Sequence, residues 1–276
     1  MRSTRSHLPD GGEWATSRIS ERAYCLLCPN PSPMTLDGTN TWLLREPASD
    51  EVVVVDPGPL DHAHLRAIVS TVESWGARVG LTLLTHGHED HAAGADEFHR
   101  LTGAPVRRAR RAGGDDDLGA GDVVRAGGLE LLVVETPGHT SDSLSFVLPA
   151  ENRLLTGDTV LGRGSTVVAH PDGDLEAYLG SLERIERLTA SGEVTSLLPG
   201  HGPFVADAAG VVAWYREHRA QRLEQVAVAA AAVTPGVGED LADAVVRTVY
   251  ADVPREVWPA ARLTVLAQLE YLRTHG

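Results

Sequence analysis

The chain has 276 residues, enough to bury a full core without disulfide or oligomeric support, and its 42% hydrophobic and 22% charged composition excludes wholesale disorder. No run approaches the roughly 20 apolar residues of a membrane span, so no membrane partner is expected. The net charge of −14 opposes bulk attraction to nucleic acid, and all 24 basic residues are Arg, which excludes a Schiff-base lysine and a Walker-type phosphate-binding lysine.

In chain order, the polar start carries two early Arg and no apolar segment. It predicts a flexible tail over 1–20 and a cytoplasmic protein. Residues 24–28 form an apolar strand holding both cysteines, Cys25 and Cys28. Three residues apart on a strand, they point to opposite faces, so packing is expected and not a bridge or shared metal. The valine run 52–55 is a buried strand that stops at Asp56-Pro57-Gly58. Asp61 then caps a helix bearing Leu65, Ile68, Val69, Val72 and Trp75 on one face and ended by Gly76. A strand over 79–84, a helix over about 91–101 and strands over 131–134, 144–148 and 153–156 follow. Asp174 caps the next helix, which carries Leu175, Tyr178, Leu182 and Ile185, and 194–198 is a short strand. This alternation predicts a layered α/β domain over 21–210.

Beyond 210 the pattern changes to one long helix over 211–233, then two more over 239–275 separated by Pro254 and Pro259. The segment 211–276 is therefore read as a helical appendage, hinged at Thr234-Pro235-Gly236-Val237-Gly238. The charge tract of Arg107, Arg108, Arg110 and Arg111 followed by Asp115, Asp116 and Asp117 reads as a solvated loop.

The densest chemistry is His86-Gly87-His88-Glu89-Asp90-His91, directly after the strand over 79–84. In the extended stretch, i, i+2 spacing points His86 and His88 the same way, while Asp90 and His91 at the following helix start face a second direction. One segment can therefore serve two metals. Three further strand ends deliver His139 (in Thr136-Pro137-Gly138-His139), Asp158 (after Gly157) and His201 (in Pro199-Gly200-His201). Such ends converge in a crevice at the sheet edge, and the adjoining glycines permit close backbone approach. His7, His62, His64, His99, His170 and His275 stand alone and are expected at the surface or in packing.

This ordered set resembles the metallo-β-lactamase superfamily, whose motifs are H-x-H-x-D-H, a later His, a later Asp and a final His. The resemblance implies an α/β, four-layer αββα sandwich with a small C-terminal helical, winged-helix-like appendage. It also implies a zinc-dependent hydrolase that uses a metal-bridging hydroxide. Carried over, His86, His88 and His139 bind one zinc, Asp90, His91 and His201 bind the other, and Asp158 bridges the two Zn2+. Mn2+ or Fe also suits these ligands. Asp90 or Asp158 would manage the proton, and Asp56 would orient ligands by hydrogen bonds. Asp90 as a ligand argues against the common true β-lactamases with Cys in the second site, since neither cysteine falls in a metal motif.

The stretch NPSPMTLDGTNTW (30–42), Asp158-Thr159-Val160-Leu161-Gly162 and His218-Arg219-Ala220-Gln221-Arg222 are similar to the β-lactamase-like protein 2 group. That group includes a single-stranded-RNA endonuclease, whereas glyoxalase II, a thioester hydrolase, shares the metal motifs and a helical C-terminal region. The first expectation is therefore phosphodiester hydrolysis of single-stranded RNA, and the alternative is a small-molecule thioester. A β-lactam hydrolase and a non-enzymatic DNA-binding sensor rank below both. Charge argues against RNA, because 211–276 holds 7 Arg and 8 acidic residues, a net −1 that leaves −13 on the rest and no basic stripe. The near-neutral tail likewise predicts no sequence-specific DNA binding. Substrate-binding candidates are Asn40, in a Gly38-Thr39-Asn40-Thr41 segment that otherwise makes a hairpin turn, and His218, Arg219 and Arg222 on the long helix. Arg216 shares their face, where guanidinium suits phosphate or carboxylate; the other reading is a solvated helix face. Oligomeric state is left open.

Overall fold

The computed structural model describes residues 15–110, 117–234 and 240–275. Most of the expected tail, Arg111 with Asp115 and Asp116 of the charge tract, and the hinge at 235–238 lie outside the described residues.

The first half builds a six-stranded sheet in strand order along the chain: β1 (Ser17–Arg18), β2 (Ala23–Leu27), β3 (Asn40–Leu44), β4 (Glu51–Val55), β5 (Arg78–Leu83) and β6 (Val106–Arg107). β1 to β4 pair antiparallel, whereas β4, β5 and β6 run parallel because helices connect them. Those helices are α1 (His62–Ser74), α2 (Glu89–Ala92) and α3 (Ala95–Thr102). The second half folds β7 (Val123–Ala126), β8 (Leu129–Glu135), β9 (Leu144–Leu148), β10 (Arg153–Gly157), α4 (Leu175–Ala190) and β11 (Ser196–Pro199) into a five-stranded sheet, ordered β11-β10-β9-β8-β7.

The valine strand explains the layering. Val53 and Val55 of β4 face Phe146, Leu148, Leu155 and Leu198 across the space between the sheets, while Val52 and Val54 face Leu65, Ile68 and Val72 of α1. A strand covered on both faces reads as a continuous apolar run. On the far side, Leu154 and Leu197 meet Tyr178, Leu182 and Ile185 of α4, giving the four layers αββα.

Several boundaries differ from expectation for identifiable reasons. The single helix expected over 91–101 is two, since Gly94 donates its N–H to Gly58 O at 2.9 Å and a Cβ there would stand 2.7 Å from Pro59 O. The long helix α5 (Ala208–Ala232) starts earlier than Val211, because the Asp207 carboxylate caps it by accepting from Gly210 N at 2.9 Å. After α6 (Leu241–Val249), Pro259 does not separate helices but sits in the first turn of α7 (Trp258–His275), where a missing N–H costs nothing. Strand β3, in a segment read as a motif or turn, was not expected, nor were β1, β6 and β7.

The two cysteines are free and fully buried, and burial pushes both thiols up to about 12. No described helix is long and apolar enough to cross a membrane.

Candidate metal centre

β4 and β5 run parallel, so Asp56 and His86 leave the first sheet at the same edge. β8, β10 and β11 deliver His139, Asp158 and His201 from the second sheet. All seven expected ligands come together there. His86, His88 and His139 offer ligand atoms within 4.8 Å of one another, as do Asp90, His91 and His201, and also His86, His91 and Asp158.

Four of the five imidazoles are held through the outer nitrogen. His91 Nδ1 lies 2.9 Å from Asp56 Oδ2, His139 Nδ1 lies 2.7 Å from Val167 O, and His201 Nδ1 lies 3.0 Å from Gly38 O. Thr85 Oγ1 donates to Asp56 Oδ2 at 2.7 Å, which leaves its lone pair to accept from His86 Nδ1 at 3.0 Å. These bonds orient the four rings so that Nε2 faces inward and is the atom each would offer a metal. The exposed His88 turns Nδ1 inward instead, 3.1 Å from His86 Nε2 and 3.0 Å from His139 Nε2.

The inward nitrogens crowd together; His91 Nε2 and His201 Nε2, for instance, are 3.2 Å apart. Asp158 Oδ1 is buried and accepts no hydrogen bond. A Cβ at Gly200 would stand 2.5 Å from that same oxygen. Imidazoles converging around an orphaned carboxylate oxygen fit a bound cation, and the ligand groups are compatible with two. Asp158 spans the groups, with Oδ1 3.4 Å from His91 Nε2 and Oδ2 3.3 Å from His201 Nε2 and 3.6 Å from His139 Nε2. Asp90 Oδ2 lies 3.1 Å from His201 Nε2 and 3.2 Å from His91 Nε2, and accepts from Thr39 Oγ1 at 3.3 Å.

Electrostatics divides the cluster. Burial holds His86 and His139 well below and below the ordinary imidazole range. Burial would lower His201 too, but Asp158 and Asp90 outweigh it and raise it to about 9; His91 is raised by the same carboxylates and Asp56. Asp158 is held far below the carboxylate range against burial, by His201 and His91.

The expected substrate contacts fare differently. Asn40 is fully buried, and its Nδ2 donates to Pro199 O at 2.9 Å and Gly202 O at 2.8 Å, so it braces the turn of His201 and does not face a substrate. Arg222 donates to Val249 O at 3.1 Å and lies over the Tyr250 ring, within the C-terminal helices. Arg216 pairs with Glu186 of α4. His218 stacks on Trp214 with ring centroids 5.0 Å apart, and burial lowers it to about 4. Arg219 is buried and donates to Thr166 O. The solvated face expected for this helix is in fact an interhelical and loop contact. Thr85 and Val167 escaped sequence reading, though Thr85, adjoining His86, carried a visible signal; Thr39, from the segment weighed for a hydroxyl beside the substrate, instead reaches Asp90.

Beside His88 opens a cavity of about 440 Å3 whose lining includes Glu135, Asp142, Asp172 and Arg110, with Leu118, Pro137 and Leu144 as apolar wall.

Fold and site together define a metal-dependent hydrolase, and the chain belongs to the metallo-beta-lactamase superfamily. The family model of that description matches residues 34–114 and 107–201, and the beta-lactamase associated winged helix domain matches 242–276. Among curated relatives, the chain is similar to a beta-lactamase-like protein 2 homolog from Caenorhabditis elegans, with 33% identity over 94% of this chain and 86% of the relative. It is also similar to an atrochrysone carboxyl ACP thioesterase from Aspergillus chevalieri, with 31% identity over 91% of this chain and 78% of the relative. A metallo-beta-lactamase family protein from Thermus thermophilus shares the fold, with a TM-score of 0.76 and 24% identity over 94% of this chain and 95% of that one.

Proposed function

We propose that this chain hydrolyses a thioester. His86, His88 and His139 would hold one metal ion and Asp90, His91 and His201 a second, with Asp158 between them; imidazole and carboxylate donors suit zinc first. Bound there, the metals supply Lewis acidity, which polarises a carbonyl and acidifies water.

The chain's own residues do the rest. Asp90 is the more open carboxylate, its side chain 27% exposed against 11% for Asp158, and takes the proton of the attacking water. Asp158, enclosed and facing three imidazoles, keeps the two ligand groups in register. His88 marks the cavity end at which the reacting carbonyl sits. A thiolate, whose conjugate acid has a pKa of about 8.5, departs without a proton donor.

The observation that carries this reading is the cavity lining. Among the described residues, three carboxylates, Glu135, Asp142 and Asp172, and one guanidinium, Arg110, itself 3.4 Å from Asp122, line the approach to His88. A polyanionic strand meets a repulsive field there, whereas a neutral acyl group does not. The engaged states of Arg216 and Arg222 remove further phosphate contacts. The name of the Aspergillus chevalieri relative supports the same substrate class. This order reverses the expectation from sequence, in which RNA came first.

The test is a side-by-side assay of zinc- and manganese-loaded protein on S-lactoylglutathione, an acyl N-acetylcysteamine thioester, single-stranded RNA and a chromogenic β-lactam. Thiol release is expected, falling at least about 100-fold in Asp158→Ala. RNA cleavage that requires Asp158, with both thioesters left intact, overturns the proposal.

A further inference from the structure

One loop, residues 158–168, carries Asp158 and touches two further metal-centre residues, and the three follow three different strands. Thr166 Oγ1 donates to Asp158 O at 2.6 Å, Val167 O lies 2.7 Å from His139 Nδ1, and Gly162 N donates to His201 O at 2.9 Å. The loop has no regular secondary structure of its own to hold this shape. It is held from outside. Tyr178 of α4 donates its hydroxyl to Thr159 O at 2.6 Å. From α5, Tyr215 Oη accepts from Leu161 N at 2.9 Å, and Arg219, one turn later, donates to Thr166 O. The Arg219 guanidinium also lies 4.8 Å from the centre of the Tyr178 ring, which ties the two helices together over the loop.

We propose that Arg219, seconded by Tyr215, is a positioning residue for the metal centre: by fixing Thr166 and Leu161 it sets the placement of Asp158, His139 and His201. The proposal rests on the two-metal reading of the site and not on the substrate. Arg219 is only 4% exposed, and its Nε is buried with no partner. A guanidinium left partly unsatisfied is costly, so an apolar side chain would fill the space between α4 and α5 more cheaply. What an apolar residue cannot do is hold the Thr166 carbonyl, one residue from the carbonyl that sets the tautomer of His139.

The experiment measures metal binding directly. Zinc affinity is taken from competition with a chromophoric chelator, ligand geometry from the visible absorption of the cobalt-substituted protein, and fold stability from urea unfolding of the metal-free protein. Wild type is expected to bind two equivalents of zinc. Arg219→Met is expected to weaken zinc binding about 10- to 100-fold and to change the cobalt spectrum, with partial recovery in Arg219→Lys. Tyr215→Phe is expected to produce a smaller change in the same direction. Arg262→Gln, which disturbs the α6–α7 ion pairs with Asp240 and Asp243, should leave affinity and spectrum as in wild type.

A lower urea midpoint in Arg219→Met with wild-type zinc affinity and cobalt spectrum would reduce Arg219 to a packing residue and overturn the proposal. If Arg219→Met does not fold, unchanged affinity in both Arg219→Lys and Tyr215→Phe overturns it as well. Failure of wild type to bind two zinc equivalents overturns the metal reading itself, visible before any variant is made.

Discussion

Asp56 adopts φ 53, a left-handed conformation that residues other than glycine seldom take, and such strain persists only where surroundings over-determine it. Here they do so from both ends of the residue. Its carboxylate accepts from Thr85 N at 2.8 Å, from Thr85 Oγ1 and from His91. Its carbonyl accepts from Thr41 Oγ1 at 2.7 Å, which in turn lies 2.9 Å from His64 Nε2. His64 must be neutral to remain buried there, and burial lowers it to about 4 despite Asp61 nearby. The unfolded chain takes up that proton near pH 6.5 and the folded protein only near 4, so stability falls as pH drops through this window, by up to about 3 kcal/mol. His64→Gln should therefore flatten the pH dependence of urea unfolding between about pH 6.5 and 4 relative to wild type. An unchanged slope would show that His64 is not the group responsible. At this scale the ligands were legible, because ring nitrogens and carboxylates at strand ends have few other uses. Asn40 and Arg222 were misread because their partners are main-chain carbonyls, which no side-chain pattern reveals.

Elements obey the same division. The covered strand β4 and the capped helices α1 and α4 were readable, since valine runs and Asp caps act locally. β3 was not, because its polar start, Asn40 and Thr41, is buried for hydrogen bonds that only the finished fold provides. The turn from β8 to His139 depends on such a fit: Gly138, at φ +126, lies so near α4 that a Cβ would stand 2.3 Å from Tyr178 Cα and N. Asp174 N donates to Gly138 O at 3.0 Å, joining this turn to the cap of α4. Gly138→Ala combines a strained dihedral with a backbone clash and is expected to cost roughly 3 kcal/mol or more. Urea unfolding gives the number. A loss under about 1 kcal/mol would mean that α4 yields easily.

At the scale of the whole molecule, α5 belongs to two cores. Its first turns place Ala208, Val212 and Tyr215 against Tyr178, Leu182 and Ile185, while Val226 and Ala229 pack with Val245, Val246 and Val265 of α6 and α7. Ala267 of α7 also reaches the first of these clusters. The boundary expected at 210 thus cuts a helix that covers the outer face of the second sheet. Burial of one Val or Tyr side chain is worth about 1.5–3 kcal/mol against a total stability of about 5–15 kcal/mol. A chain ended at 207 should therefore fail to unfold cooperatively by circular dichroism and should elute as aggregate. A monomeric, cooperatively melting 1–207 fragment would establish instead that the metal domain stands alone.

The two family matches stop at 201 and resume at 242, so α5 falls between them and looks from sequence like a connector. Its packing makes it the place where a domain exchange would succeed or fail. A chimaera joined at either edge of the matches hands one parent's loop 158–168 to another parent's helix, or separates α5 from the α6 and α7 it packs on. Only a crossover between Arg219 and Arg222 keeps both partnerships within their own lineage, which makes this one turn of helix the natural recombination point of the molecule.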